Sequence, residues 1–315
     1  MMGDHVIRVV VPDEDDGELT KEEVAPLAGF PIEVEGGVGN GKTALVTAIV
    51  AELEKCGVEA VSYPEPTDEA ALANFMKYQK PPPEYASEDV ASKLREAKEM
   101  LEKLTALEGA GEMVILLDRV LDRLPTADST KRKAFEDGRR AAAVRMQTSM
   151  MQRRTAIVKR AAMDSKKGIV ALVDRGAFGD TAFAITTYLK YAVGSNKWIE
   201  YIISFLSKYL AIDFPNKSFL IVRVAAPVSV TYQRYLARER DVGGNKYTPE
   251  YMQMIEDAHD SCARAWGSYV SYDNSDVPYH RPSSPGGMGY PDRKAVRAVI
   301  RALCALARER RAIAE

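Results

Sequence analysis

Phe30-Pro31-Ile32-Glu33-Val34-Glu35-Gly36-Gly37-Val38-Gly39-Asn40-Gly41-Lys42-Thr43 joins a short strand-like run to a glycine-rich turn ending in lysine and threonine. The next stretch, residues 44 to 55, carries Leu45, Ile49 and Leu53 at helical spacing and is closed by Gly57. Residues 58 to 63 then read as a second strand, which makes strand, helix, strand over about thirty residues, a βαβ unit. Gly36-x-x-x-x-Gly41-Lys42-Thr43 has the spacing of a phosphate loop and lies between a strand and a helix, as that motif requires. Glycines let the backbone of Gly36, Gly37, Val38, Gly39, Asn40 and Gly41 wrap a phosphate with N–H groups, and the helix start adds positive potential. Lys42 is placed to bridge terminal phosphates and the Thr43 hydroxyl to ligate Mg²⁺; by itself the loop says only nucleoside triphosphate. The competing reading, a glycine-rich turn with an incidental Lys-Thr, leaves the flanking strand and helix unexplained.

Outward from this unit the pattern stays α/β. Residues 169 to 173 and 219 to 224 read as buried strands, and Pro227 suits the first turn of a helix reaching to 240. Helices are expected over 139 to 163, 181 to 192, 198 to 210, 248 to 266 and 292 to 312, with 268 to 290 loop-rich. Strands separated by helices predict a parallel sheet of about five strands with helices on both faces. Two segments fall outside this pattern. Residues 1 to 24 read as an acidic mobile tail ahead of one domain over 25 to 315. Pro81-Pro82-Pro83, a charged amphipathic stretch over 92 to 107 and Gly109 to Gly111 mark residues 81 to 140 as an inserted helical region.

Composition excludes several classes. Of 315 residues, 46% are hydrophobic and the formal net charge is −2, so no global positive field draws the chain to nucleic acid or an acidic membrane. The three cysteines, Cys56, Cys262 and Cys304, are too far apart for a metal site and too few for a disulfide framework. With no leader-like segment, a soluble protein of the reducing cytoplasm is expected.

Three further clusters bear on chemistry. Glu65, between Pro64 and Pro66, ends the second strand, where open parallel sheets bind ligands. It reads either as a base for a substrate hydroxyl or as a solvated loop acid. Asp174-Arg175 ends the strand over 169 to 173: the acid can hold Mg²⁺ and the arginine a phosphate. Asp118-Arg119, after Met113 to Leu117, has the same appearance, and Asp174 is preferred because it follows the long helix. Arg234, Arg238 and Arg240, beside Gly243-Gly244, read either as a phosphate-clamping lid or as a solvated helix face neutralised by Glu239 and Asp241.

In order, Glu35 to Thr43, Pro64-Glu65-Pro66, Gln147-Thr148, Asp174 to Asp180 and Arg234-x-x-x-Arg238-x-Arg240 resemble the deoxynucleoside kinase family over residues 30 to 270. The resemblance implies a P-loop kinase fold with an arginine lid. It also implies an enzyme that phosphorylates the 5′-hydroxyl of a deoxynucleoside with Mg·ATP in nucleotide salvage. By that resemblance Glu65 stands at the catalytic base, Gln147 at the amide that reads the base edge, Arg175 beside the 5′-hydroxyl, and Arg234, Arg238 and Arg240 in the lid. An Arg–Asp pair at Arg154 and Asp180 implies an amino-bearing base, cytosine or a purine, although Asp180 is also placed to N-cap the helix over 181 to 192. Met150, on the Gln147 face, would narrow the pocket. A homodimer through helices is implied too, with residues 198 to 210 apolar enough to take part.

The chain departs from the family pattern in places. Asp-Arg-Gly at 174 to 176 replaces the usual Glu-Arg-Ser, and Gly243 occupies the place of the lid acid that reads the sugar 3′-hydroxyl, leaving Asp241 as substitute. Tyr78 and Tyr85 are candidates for the sugar-binding tyrosine. The nearest rival is a thymidylate or other nucleoside monophosphate kinase; Glu65 speaks against it, since an acid suits a hydroxyl nucleophile better than an anionic phosphate. A non-catalytic ATP-binding P-loop protein is the rival from another class.

Overall fold

The computed structural model describes residues 5–14, 17–78, 94–99, 102, 129–191, 219–237, 247–275 and 291–314. The strands are β1 His5–Arg8, β2 Ile32–Glu35, β3 Ala60–Tyr63, β4 Val170–Asp174, β5 Leu220–Ala225 and β6 Ser268–Asp273. The helices are α1 Lys21–Val24, α2 Lys42–Lys55, α3 Glu69–Met76, α4 Ser129–Lys166, α5 Ala177–Tyr191, α6 Val228–Ala237, α7 Pro249–Trp266 and α8 Arg293–Ala314. The chain divides into two compact units, one of residues 1–68 with 147–315 and one of 69–146.

The first unit is α/β. Its six strands lie in the order β1-β6-β5-β2-β4-β3, and every pairing is parallel. Alternation along the strands sorts their side chains to two faces. On one face Ile32, Val34, Leu172, Leu220 and Val222 pack with Leu45, Ile49 and Leu53 of α2 and Val299, Ile300 and Leu303 of α8. On the other, Ala171, Val173, Phe219 and Ile221 meet Val158 and Ala161 of α4. Helices therefore cover both faces, which is what lets β2 and β4 be buried at every position. β2 lies between β5 and β4; from β2 the chain crosses toward β3 at one edge, whereas from its neighbour β5 it crosses the other way to β6, so the connections diverge between β2 and β5. The phosphate loop follows β2 and stands at that switch point.

Three expectations change here. The expected tail over residues 1 to 24 holds structure at 5–8 and 19–24: β1 pairs with β6, and Thr20 and Glu23 cap α1 reciprocally, with Leu19 and Val24 buried. Residues 268 to 273, expected in a loop, form β6, because Val270 and Tyr272 alternate into the core while β5 and β1 pair with its two edges. These two strands bring the sheet to six. The long helix also starts earlier, at Ser129 rather than near 139.

In the second unit Tyr78 packs on Phe135, ring centroids 5.4 Å apart, and lies against Gly138, where a Cβ would come within 2.7 Å of the Tyr78 ring. The expected insertion over 81 to 140 falls mostly outside the described residues, as do Asp118, Arg119 and the stretch 198 to 210. No helix among the described residues is long and apolar enough to cross a membrane.

Candidate active site

β2 delivers the chain into the glycine turn, and Gly41, in the left-handed region at φ 85°, starts α2. Gly39 is also left-handed at φ 87°, and a Cβ there would lie 2.6 Å from the Thr231 carbonyl oxygen. Only glycine satisfies both conditions. Asn40 fixes the back of the loop: its Nδ2 donates to the Val224 carbonyl at 2.7 Å and to Glu256 at 3.0 Å, while its own carbonyl accepts from Asn274 at 2.6 Å. Glu256 is held in turn by Arg223 at 2.6 Å. Lys42 is buried and donates to the Gly37 carbonyl at 2.6 Å. Burial, then Arg175, push its ammonium pKa down to about 7, against the pull of Asp174, Glu65 and Glu35.

At the end of β4 the Thr43 hydroxyl donates to Asp174 Oδ2, and Asp174 Oδ1 is buried with no hydrogen-bond partner. A bare carboxylate oxygen beside a hydroxyl is a hard-oxygen pair that fits Mg²⁺, an ion content with one or two protein oxygens plus phosphates and water. No cluster of three or more metal-binding side chains occurs among the described residues.

Arg175 follows with φ 67°, a left-handed conformation that costs a side-chain-bearing residue roughly 1–2 kcal/mol. Two anchors from β2 hold it there. The Arg175 amide donates to the Val34 carbonyl at 3.0 Å, and the Gly176 amide donates to Glu35 Oε1 at 2.6 Å. The guanidinium then lies over the Phe183 ring, 4.5 Å from its centroid, and donates to Glu65 at 2.6 Å and to the Gly36 carbonyl at 3.4 Å. At the glycine of Asp-Arg-Gly a Cβ would sit 2.1 Å from the Glu33 carboxyl carbon, so a serine there requires Glu33 to move.

Glu65 Oε1 accepts from both Arg175 and Arg154, the latter at 2.9 Å. Burial works to raise its pKa, but Arg175, Arg154 and Lys42 outweigh it and hold the carboxyl below its usual range. Glu65 is thus ionised at neutral pH and is no solvated loop acid, with 35% of its side chain accessible. Arg154 also pairs with Asp180, and Gln147 Nε2 donates to the Asp180 carbonyl at 3.1 Å and to its carboxylate at 3.4 Å. These three side chains, brought together from α4 and α5, are all buried. Asp180 does not cap a helix: α5 begins at Ala177, which puts Asp180 inside the first turn with its carboxylate turned to Arg154. Burial pushes that carboxyl up to about 6 against the pull of Arg154. Met150 is partly buried on the same helix.

No family model matches the chain, and no curated protein matches it. Solved structures of deoxyadenosine kinase from M. mycoides are similar at a distance. The form with bound dCTP shares 16% identity, with a TM-score of 0.40 over 76% of this chain and 89% of that one. The form with bound dATP gives 15% and 0.40, and the form with products dCMP and a flexible dCDP 13% and 0.40, at the same coverage.

Arg234 departs from the lid expectation. It is buried, and its Nη2 donates to the Asn274 carbonyl at 2.7 Å, which joins α6 to the turn after β6. Arg238, Arg240, Asp241 and Tyr85 lie outside the described residues. Three site neighbours escaped the sequence reading. Glu33 and Glu35 are both buried in a central strand, and the legible signal was two carboxylates where a parallel strand is normally apolar on both faces. Tyr247, stacked on Tyr251 with centroids 5.7 Å apart, has its phenol pKa raised first by burial, and it interacts electrostatically with Arg175 and Glu65. Only the fold brings it there.

Proposed function

We propose that this protein transfers the γ-phosphoryl group of Mg·ATP to the 5′-hydroxyl of a deoxynucleoside. One observation carries the reading: an ionised carboxylate, Glu65, held by Arg175, whose other guanidinium nitrogen reaches the Gly36 carbonyl of the phosphate loop. The loop amides and Lys42 bind phosphate oxygens, and Thr43 and Asp174 hold the metal. Bound there, Mg²⁺ supplies charge neutralisation across the phosphates. Glu65 accepts the proton of the attacking hydroxyl, and Arg175, freed from it, turns its charge to the transferring group. The carboxylate of Asp180, oriented by Arg154, and the amide of Gln147 supply an acceptor and an acceptor–donor pair for a base edge. An exocyclic amine satisfies Asp180; a thymine carbonyl opposes it, at a cost of about 1–3 kcal/mol.

A panel of the four deoxynucleosides and their monophosphates, with Mg·ATP as donor, tests this. Transfer to deoxycytidine or a purine deoxynucleoside is expected. Transfer to monophosphates alone would make it a nucleoside monophosphate kinase, and tight ATP binding with no transfer a binding protein.

A further inference from the structure

We propose that Glu35 is a positioning residue: its carboxyl group, seated on the Gly176 amide, holds the left-handed turn at Arg175 and so aims the guanidinium at Glu65. The role rests on the phosphotransferase reading above and adds to it a residue that reaches no substrate. Glu35 is 2% exposed and points from a strand that an apolar side chain would complete without the desolvation a carboxyl suffers. What it binds must account for it. Oε1 takes the Gly176 amide at 2.6 Å, and the Gly179 amide also bonds the carboxyl. Both donors belong to the turn and first helical residues that carry Arg175, and Gly179 is where the Arg175 stem crosses, since a Cβ there would lie 2.1 Å from Arg175 Cγ. Oε2 faces His259 Nε2 at 3.9 Å, and the imidazole is fixed by its Nδ1 on the Ile255 carbonyl at 2.8 Å. Strand β2 thereby ends in two devices at once, the phosphate loop and a clamp on the Arg175 turn, so that phosphate and guanidinium are registered by one rigid element.

Three variants separate this from a merely structural role. Glu35→Gln keeps the length and the oxygen that accepts from Gly176. Glu35→Asp keeps the charge but withdraws the carboxyl by one methylene. Glu35→Met removes both. Each is followed by steady-state transfer to the best acceptor and by the ¹⁵N–¹H signals of the Arg175 guanidinium, which hindered rotation makes visible. We expect Gln to stay within about threefold of the parent in kcat. Asp and Met should lose about tenfold or more at an ATP KM changed by less than about threefold, the scale of a misplaced catalytic group. Their Arg175 signals should broaden while Gln retains them. In an Arg175→Ala background the Glu35 substitutions should cost nothing further. Should the Met variant not fold, the Asp variant decides. Full kcat with a sharp Arg175 signal in Glu35→Asp overturns the proposal. If the parent transfers no phosphate to any nucleoside, the functional reading fails, and the Arg175 signals alone judge the positioning.

Discussion

Glu65, part-exposed, and Asp180, buried, both pair with Arg154, yet their surroundings push them in opposite directions. Arg175, Arg154 and Lys42 hold Glu65 below its usual range, whereas burial carries Asp180 up to about 6. Removing the proposed base while keeping the size, as in Glu65→Gln, is expected to lower kcat about 10²-fold or more with ATP affinity little changed. Near-normal turnover would take Glu65 out of the chemistry. For Asp180 the sign follows from linkage. A carboxyl whose folded-state pKa is raised favours the folded protein below its unfolded value, and that contribution is lost as pH climbs through about 6. Asp180→Asn does not titrate, so its Tm relative to the parent should rise by a few degrees between about pH 4 and about pH 7. A difference that stays flat across that range contradicts the assignment. The same variant should narrow the preference for amino-bearing bases over thymidine; an unchanged acceptor ranking would leave Asp180 a packing residue.

At the scale of elements, the site is assembled from strand ends and the turns after them. Asp174 ends β4, which β2 and β3 flank on either side, and its carboxylate meets Thr43 at the start of α2. Asp174→Asn should therefore abolish most transfer, and Asp118→Asn should leave it near the parent rate. The reverse pattern would show the other Asp-Arg pair to be the functional one. The loop itself is held as much from behind as by its own glycines, through Asn40, Glu256 and Arg223. Gly39→Ala adds a Cβ to a left-handed residue 2.6 Å from a backbone oxygen on α6. Loss of Mg·ATP affinity by tenfold or more, read by calorimetry, is expected, roughly the 1–3 kcal/mol of such strain. Affinity equal to the parent's would mean that the loop relaxes freely.

Across the whole first unit, the sheet extends further on the β6 side than its sequence announced. β1 closes that edge with four paired residues, and His5 and Val9 add backbone bonds to Gly267 and Ser271 at 2.9 Å each. Deleting residues 1 to 9 should lower Tm by several degrees, since it strips the partner from β6 and leaves a bare parallel edge. Binding of Mg·ATP, two strands away at β2, should stay within about threefold. Unchanged thermal stability in the truncated chain would return the segment to the status of a tail.

Sequence alone determined the phosphate loop, because its glycines, lysine and threonine must be contiguous to wrap a phosphate. It also determined the helices whose apolar residues recur at three and four, α2 and α8 above all. The α1 capping box, Thr20 to Glu23, was equally legible, and the acidic character of its surroundings hid it. Tertiary structure alone decided which buried carboxylates have partners and which way they titrate. Glu35 and Gly176, 141 residues apart, meet only when β2 and β4 pair. Arg154 and Asp180 lie on different helices, and whether the aspartate caps α5 or faces the arginine depends on where that helix begins. Local pattern specifies an element; a site built from the ends of several elements exists only once the sheet has set their register.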